Sequence, residues 1–519
     1  MQATQMLRHA ARINPAGDAT VCGDRRHTWR ETEDRVARFA GALRSLGVRT
    51  GDRVAALAMN SDRFFELYYA IPWAGAVFAP LNIRWATEEN AFALRAAKVT
   101  VLLVDDEFLE QARALQKLVP EISTLIHLGD GPTPLGTVSY EELVAMHEPV
   151  PDADRRGDDT YVVFYTSGTT AQSKGVALSH RNAVSVSVCF HATLPTTRDL
   201  RFLHVGGMFH LAGAGPTWYI TLAAGTHVIL PKFEPLAFLV GIAEHRITNS
   251  VLVPTMINML LHQPELGEHD LSSWHTCVYG GSPMPEAVLR RALELIPGCR
   301  FHQIYGMTET AGYATALTWQ DHLDGLTRED GTLRSAGRAI PGMDIRTLRP
   351  DGTEAGVGEV GEIVLRGDNV MTGYFDNPDA DAEVLRDGWL RSGDAGFFDE
   401  RGYLHVADRV KDMIISGAEN VYSADVERAL YDHPAVRECA VIGIPSERWG
   451  EAVHAVVVLK DGAEATEEEL IVHCRGLIGG YKCPRSVEFR TEPLPTTPVG
   501  KIRKNVLREP HWRGRETRI

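Results

Sequence analysis

No stretch of this 519-residue chain is apolar for the roughly 20 residues that a membrane crossing needs. The longest apolar stretches, residues 70–81 and 218–230, stop short of it, so no integral membrane segment is expected. Positive charge is also not in excess. Lys and Arg number 53 against 68 Asp and Glu, a net charge of −15. That balance suits a soluble chain, and no nucleic-acid partner is expected. Paired cysteines are missing as well. The seven cysteines, at 22, 189, 277, 299, 439, 474 and 483, are odd in number, widely spaced and without a C-x-x-C pair. Neither a disulfide framework nor a zinc knuckle is expected from them. The first fifteen residues have no continuous apolar core, and the last three, Thr517-Arg518-Ile519, are not a peroxisomal address. The cytoplasm is the expected location.

What is present is ordinary globular material: 44% hydrophobic and 23% charged residues. The length suggests roughly three domains, or one large and one small. Short apolar runs at 54–59, 100–104, 161–165, 226–230 and 250–253 read as buried strands. Helical spacing is found at 31–46, 61–70, 88–97 and 236–245. The alternation predicts α/β layers with mainly parallel sheets. Between 335 and 407, Gly and Asp turns crowd around short strands, which predicts a β-rich subdomain. After 411, helices at 424–430 and 467–476, strands at 437–444 and 452–459 and a Pro-rich tail predict a small α+β domain.

One loop stands out. Thr166-Ser167-Gly168-Thr169-Thr170-Ala171-Gln172-Ser173-Lys174-Gly175 follows an apolar strand. Glycines free backbone N–H groups to face an anion, hydroxyls add donors, and Lys174 adds a point charge. The set suits a polyphosphate. It is not a Walker loop, which has Gly immediately before the lysine.

Four further segments carry chemistry. Tyr305-Gly306-Met307-Thr308-Glu309-Thr310 joins an aromatic face, hydroxyls and a carboxylate, fit to stack a base, bind phosphate and hold a hard cation. Arg391-Ser392-Gly393-Asp394 sets a carboxylate in a turn, suited to a ribose diol. Asp408-Arg409-Val410-Lys411-Asp412 is a charged link between lobes. Residues 495–504, with Pro495, Pro498 and Gly500, present Lys501 on a stiff turn. Taken singly, these also fit a loop, a turn former, a solvated linker and a surface lysine.

Together, in this order, they resemble the adenylate-forming superfamily of acyl-CoA synthetases, peptide-synthetase adenylation domains and luciferases. The chain is most similar to bacterial fatty-acid or coumarate/feruloyl-type acyl-CoA synthetases. The resemblance implies a large N-terminal domain (1–407) with two layered α/β sheets and a β-rich subdomain, a hinge at 408–411, and a small mobile α+β lid (412–519). It implies ATP and Mg²⁺ as cofactors and coenzyme A as co-substrate. Thr166, Ser167, Gly168, Thr169, Thr170 and Lys174 match the phosphate loop, with Ala171 and Ser173 in place of the usual glycine and proline. Tyr305 matches the residue against adenine, Thr308 the α-phosphate contact and Glu309 the Mg²⁺ carboxylate. Asp394 and Arg409 match the ribose contacts and Lys411 the hinge. Lys501 matches the lysine bridging acid and α-phosphate. Gly417 matches the lid loop for thioester formation, where Ala418 replaces a second glycine. Met208, Phe209 and His210, with Gly280, Gly281 and Ser282, match the segments walling the acyl pocket.

The implied reaction is AMP-forming ligation of a hydrophobic carboxylic acid to CoA, with a medium- or long-chain fatty acid as the leading expectation. An aryl or cinnamic-type acid, or a carrier-protein acceptor, are the alternatives. The apolar run Leu211–Gly215 after His210 reads either as a slot lining or as helix packing. A homodimer is the default assembly.

Overall fold

A computed structural model of the chain describes residues 1–166, 173–194, 196–328, 330–409, 412–416, 419–446, 448–496 and 502–513, with the backbone alone at 409, 419 and 420. Two large sheets dominate. The first has nine strands: Arg338–Ala339, Thr315–Leu317, Arg300–Tyr305, Thr276–Gly280, Asn249–Leu252, Arg201–His204, Thr226–Ile229, Asp18–Cys22 and Arg25–Thr28, in that spatial order. The second has eight, with Lys174–Ser179, Thr160–Thr166, Val77–Pro80, Arg53–Leu57 and Val101–Val104 at its centre. The inner strands of both sheets pair in parallel and the antiparallel pairs lie toward the edges, as the strand–helix alternation predicts.

The strands alternate in the pattern of a sheet covered on both faces. Val54 and Ala56 join the central core, while Ala55 and Leu57 join a second cluster with Leu94 and Leu115 of the outer helices. The central core also holds Val278 of the first sheet and the helices Trp29–Ser45, Asp62–Trp73, His180–Thr193 and Leu211–Leu222. These helices are thus a layer shared by the two sheets. Asp62–Trp73 shows the result most clearly, since all twelve of its residues are buried. Its Glu66 is held there by Arg35 at 2.7 Å and by the Tyr140 hydroxyl at 2.6 Å. A buried carboxylate requires such partners. At its entry Ser61 accepts from Phe64 N, and at Trp29–Ser45 a full Thr28/Glu31 capping box sets the start.

A third sheet of five antiparallel strands covers 343–409, where turns crowd the sequence. A fourth belongs to the small C-terminal domain, built on the long hairpin Val436–Ser446/Gly450–Leu459 with Ser486–Arg490 added in parallel. Helices Ser423–Tyr431 and Glu467–Leu477 cover one face through Val453, Ala455 and Val457. The Pro-rich tail ends in a helix that has no signal in its composition. Lys504–Trp512 is a helix, and its Leu507 packs on Val456 and Val458 across the other face. Pro510 falls near the end, where few backbone bonds remain to lose. All seven cysteines are free thiols. Among the described residues no helix is long and apolar enough to cross a membrane.

Candidate active site

Three of the matched segments sit where strands of the two large sheets end. Thr166 closes the strand Thr160–Thr166, Gly280 closes Thr276–Gly280 and Tyr305 closes Arg300–Tyr305. Crevices beyond the carboxyl ends of parallel strands are the usual ligand sites of α/β sheets. Close backbone approach explains two of the glycines. A Cβ on Gly280 would lie 2.4 Å from the Ile304 carbonyl of the neighbouring strand, and Gly281 has φ +83°. Ser282 follows half-buried.

Tyr305 donates its hydroxyl proton to Asp394 Oδ2 at 2.7 Å. Asp394 is only 7% exposed. It was expected in a turn, but residues 391–394 lie inside the strand Trp389–Phe398. Gly393, at φ +69°, and the register shift opposite Glu362 and Val364 disturb that strand locally and mimic a turn signal. Asp394 pairs in register with Arg409 on the adjacent strand Leu404–Arg409. Tyr305 and Asp394 therefore meet between the two sheets, with the Arg409 backbone beside Asp394.

A second cluster surrounds Glu309. Thr308–Thr310 forms a single tight turn, and Thr308 and Glu309 are half-buried. Tyr374 donates to Glu309 Oε1 at 3.0 Å, and Lys174 Nζ lies 5.0 Å from the centre of the same tyrosine ring. Lys174 also approaches Glu383 at 3.5 Å. Burial and the Glu309 charge hold the Tyr374 hydroxyl well above the usual phenol range, so it stays a donor. An oriented carboxylate is a ligand that fits a hard divalent cation. Tyr374 was not foreseen, because Gly-Tyr pairs are too common to read from sequence.

The segment 208–210 is held by Asn60, a residue with no sequence signature. Asn60 accepts from Met208 N at 2.7 Å and donates to the Gly206 carbonyl at 3.0 Å, while the Tyr68 hydroxyl donates to the Met208 carbonyl at 2.5 Å. Met208 and Phe209 are buried. His210 caps the helix Leu211–Leu222, accepting from Ala212 N at Nδ1. Its edge is partly open, yet the ring lies deep, and burial pushes the imidazole down to about 4. It is neutral at pH 7. The run Leu211–Gly215 resolves mainly as packing: a Cβ on Gly213 would strike the Gly206 and Gly207 carbonyls at 2.5 and 2.4 Å. Behind it, Phe190 stacks on Tyr219 at 3.8 Å and 13°, with Tyr313 5.8 Å away. The buried Tyr313 hydroxyl has no hydrogen-bond partner among the described residues.

Ser167, Gly168, Thr169, Thr170, Lys411, Gly417 and Lys501, with Ala171 and Ala418, lie outside the described residues, as does the Arg409 side chain.

The family model of the AMP-binding enzymes matches residues 7–375, and that of the AMP-binding enzyme C-terminal domain matches residues 425–501. A feruloyl-CoA synthase of an Amycolatopsis species is 41% identical over 499 residues, covering 96% of each chain. A long-chain-fatty-acid–CoA ligase of Mycobacterium tuberculosis is 34% identical over 518 residues, covering 97% of each. The crystal structure of ATP-bound MatB from Rhodopseudomonas palustris superposes with a TM-score of 0.89 at 31% identity, covering 99% of each. The chain belongs to the AMP-binding enzyme family, among its acyl-CoA synthetases.

Proposed function

We propose that this acyl-CoA synthetase acts on an aromatic, phenylpropenoate-type carboxylic acid. The supporting observation is the buried aromatic cluster of Phe190, Tyr219 and Tyr313, formed with the helix that His210 caps, which would suit a planar ring. The likeness to a feruloyl-CoA synthase across nearly the whole chain supports the same reading. A medium- or long-chain fatty acid is the second reading, favoured by the similar long-chain ligase.

ATP and CoA are substrates of this enzyme class. In the first step the substrate carboxylate attacks the α-phosphorus of ATP and pyrophosphate leaves. In the second the CoA thiol attacks the acyl-adenylate carbonyl and AMP leaves. Two anions must meet in step one. A unit charge pair at 4 Å is worth about 4 kcal/mol at an effective dielectric of 20. Lys501 would supply that charge between carboxylate and α-phosphate, and Thr308 a hydroxyl to the α-phosphate. Lys174, with Thr166, Ser167, Gly168, Thr169 and Thr170, would cradle the β- and γ-phosphates. Tyr305 would face adenine, and Asp394 and Arg409 the ribose. Glu309 would hold Mg²⁺, which when bound offsets polyphosphate charge. Neutral His210 and the Met208-Phe209 segment would wall the acid beside Gly280, Gly281 and Ser282. Residues 1–407 would form the nucleotide and acid domain and 412–519 a lid turning about 408–411. Rotation at Lys411 would then withdraw Lys501 and bring in Gly417.

The test is Lys501→Ala assayed in two halves. Pyrophosphate release is expected to be lost while thioester formation from supplied acyl-adenylate persists. Equal loss of both halves would refute the assignment.

A further inference from the structure

On the face of the C-terminal sheet that the last helix covers, two imidazoles and a carboxylate converge. His454 lies in the strand Gly450–Leu459 and pairs in register with Ser486 of the parallel strand Ser486–Arg490. Glu488 is two residues further on and so shares that face. His511 comes from the helix Lys504–Trp512, four residues after Leu507, which packs on the same face. The metal-binding atoms of the three side chains lie within 4.8 Å of one another.

The decisive member is His454. It is 6% exposed, and its Nε2 has no hydrogen-bond partner among the described residues. That nitrogen stands 3.9 Å from Glu488 Oε2, too far for a hydrogen bond. The other ring nitrogen, Nδ1, lies 2.7 Å from Ser486 Oγ. An Nδ1–H donated to Ser486 leaves the Nε2 lone pair pointing at Glu488 and His511. This is the outer-sphere arrangement that orients metal-binding histidines. Arg490 lies 3.8 Å from the opposite Glu488 oxygen, Oε1, leaving Oε2 on the histidine side. Two imidazoles and one carboxylate are a zinc donor set, leaving a fourth position for water. Tetrahedral bonds of about 2.0–2.1 Å place donors about 3.3 Å apart, so closure asks for side-chain shifts of about 1 Å.

We propose that His454, Glu488 and His511 bind one Zn²⁺ ion that ties the C-terminal helix to the sheet. The helix is also held by Trp512, which donates to the Gly443 carbonyl at 3.1 Å. The ion would add a second clamp at the same end. The clamp sits at the C-terminal end of the helix, whose first turn begins at Lys504. The inference stands whatever the acid substrate.

The test uses the full-length protein, stripped with EDTA and kept free of nucleotide. Zn²⁺ is titrated calorimetrically, and retained metal is counted after gel filtration. With 20 histidines in the chain, stoichiometry is the discriminating quantity. One tightly held Zn²⁺ per chain is expected, together with a rise in Tm on adding zinc. Glu488→Gln/His511→Ala, at partly exposed positions, is expected to keep its metal-free Tm, bind Zn²⁺ at least about tenfold more weakly and lose the zinc-dependent rise. Absence of a stoichiometric site in the unmodified chain, or equal binding by the double variant, would overturn the proposal.

Discussion

The Tyr305 hydroxyl donates to Asp394 Oδ2 at 2.7 Å, joining the end of a strand in the nine-stranded sheet to the middle of a strand in the third sheet. The bond orients the carboxylate read as the ribose contact. Hydrogen bonds to charged groups are worth about 1.5–3 kcal/mol. Tyr305→Phe keeps the ring and removes the bond, so ATP KM is expected to rise about tenfold with a smaller change in kcat. Asp394→Asn removes the charge itself and is expected to cost more. Steady-state kinetics with varied ATP checks both, and an unchanged ATP KM in Tyr305→Phe contradicts the role.

Tyr374 gives a second, separable expectation. Tyr374→Phe keeps the face under Lys174 and removes the donor to Glu309. Adenylation is expected to fall about tenfold, about 1.4 kcal/mol in the barrier, and its Mg²⁺ dependence to shift to higher concentration. Thioester formation from supplied acyl-adenylate should be unchanged. Equal decline of both half-reactions would assign Tyr374 a purely structural part.

Buried histidines set the acid side of stability. Burial lowers His180, His210, His302 and His322 to about 4 and His204 to about 3. Each binds its proton more readily in the unfolded chain, with a pKa of about 6.5. The unfolded state thus carries more bound protons between pH 6.5 and 4, and unfolding free energy rises with pH there. Their contribution is full above pH 6.5 and lost as pH falls through that window. Tm measured from pH 8 to 4 should be level near neutrality and fall steeply below 6.5. A flat profile down to pH 4.5 contradicts it.

In the C-terminal domain, Lys504 Nζ lies 2.7 Å from Glu427 Oε1 and also donates to Ser423 Oγ. Ser423 in turn donates from N and Oγ to Asp408 Oδ2, both at 2.6 Å. Lys504→Ala leaves Glu427 as a largely buried, uncompensated charge and is expected to cost about 3–5 kcal/mol. Lys504→Met/Glu427→Leu is expected to recover most of it. Denaturant unfolding of the three proteins checks this, and a double variant no more stable than Lys504→Ala contradicts it.

The layered α/β core was legible because buried parallel strands are short apolar runs, and those at 54–59 and 161–165 fall within two residues of Arg53–Leu57 and Thr160–Thr166. The candidate site was read from local motifs, which hold their chemistry within a few consecutive residues, and of these the structure brings Tyr305 to Asp394. Other parts depend on distant pairing. Asn60 reaches Met208 across 148 positions and Tyr374 reaches Glu309 across 65, and neither has a local signature. Asp394 was misplaced in a turn because a glycine-disturbed strand and a turn share composition. The last helix was hidden by Pro510, since a proline tolerated near a helix end looks the same in sequence as one that forbids a helix.

The most direct measurement is a mass-spectrometric end-point assay. Protein, Mg²⁺-ATP and CoA are incubated with short, medium and long fatty acids, benzoic, cinnamic and ferulic acids, and amino acids, and acyl-AMP and acyl-CoA are followed together. Acyl-CoA is expected from cinnamic and ferulic acids ahead of every aliphatic acid. Acyl-CoA from long-chain acids alone, or acyl-AMP that never becomes a thioester, would contradict the account.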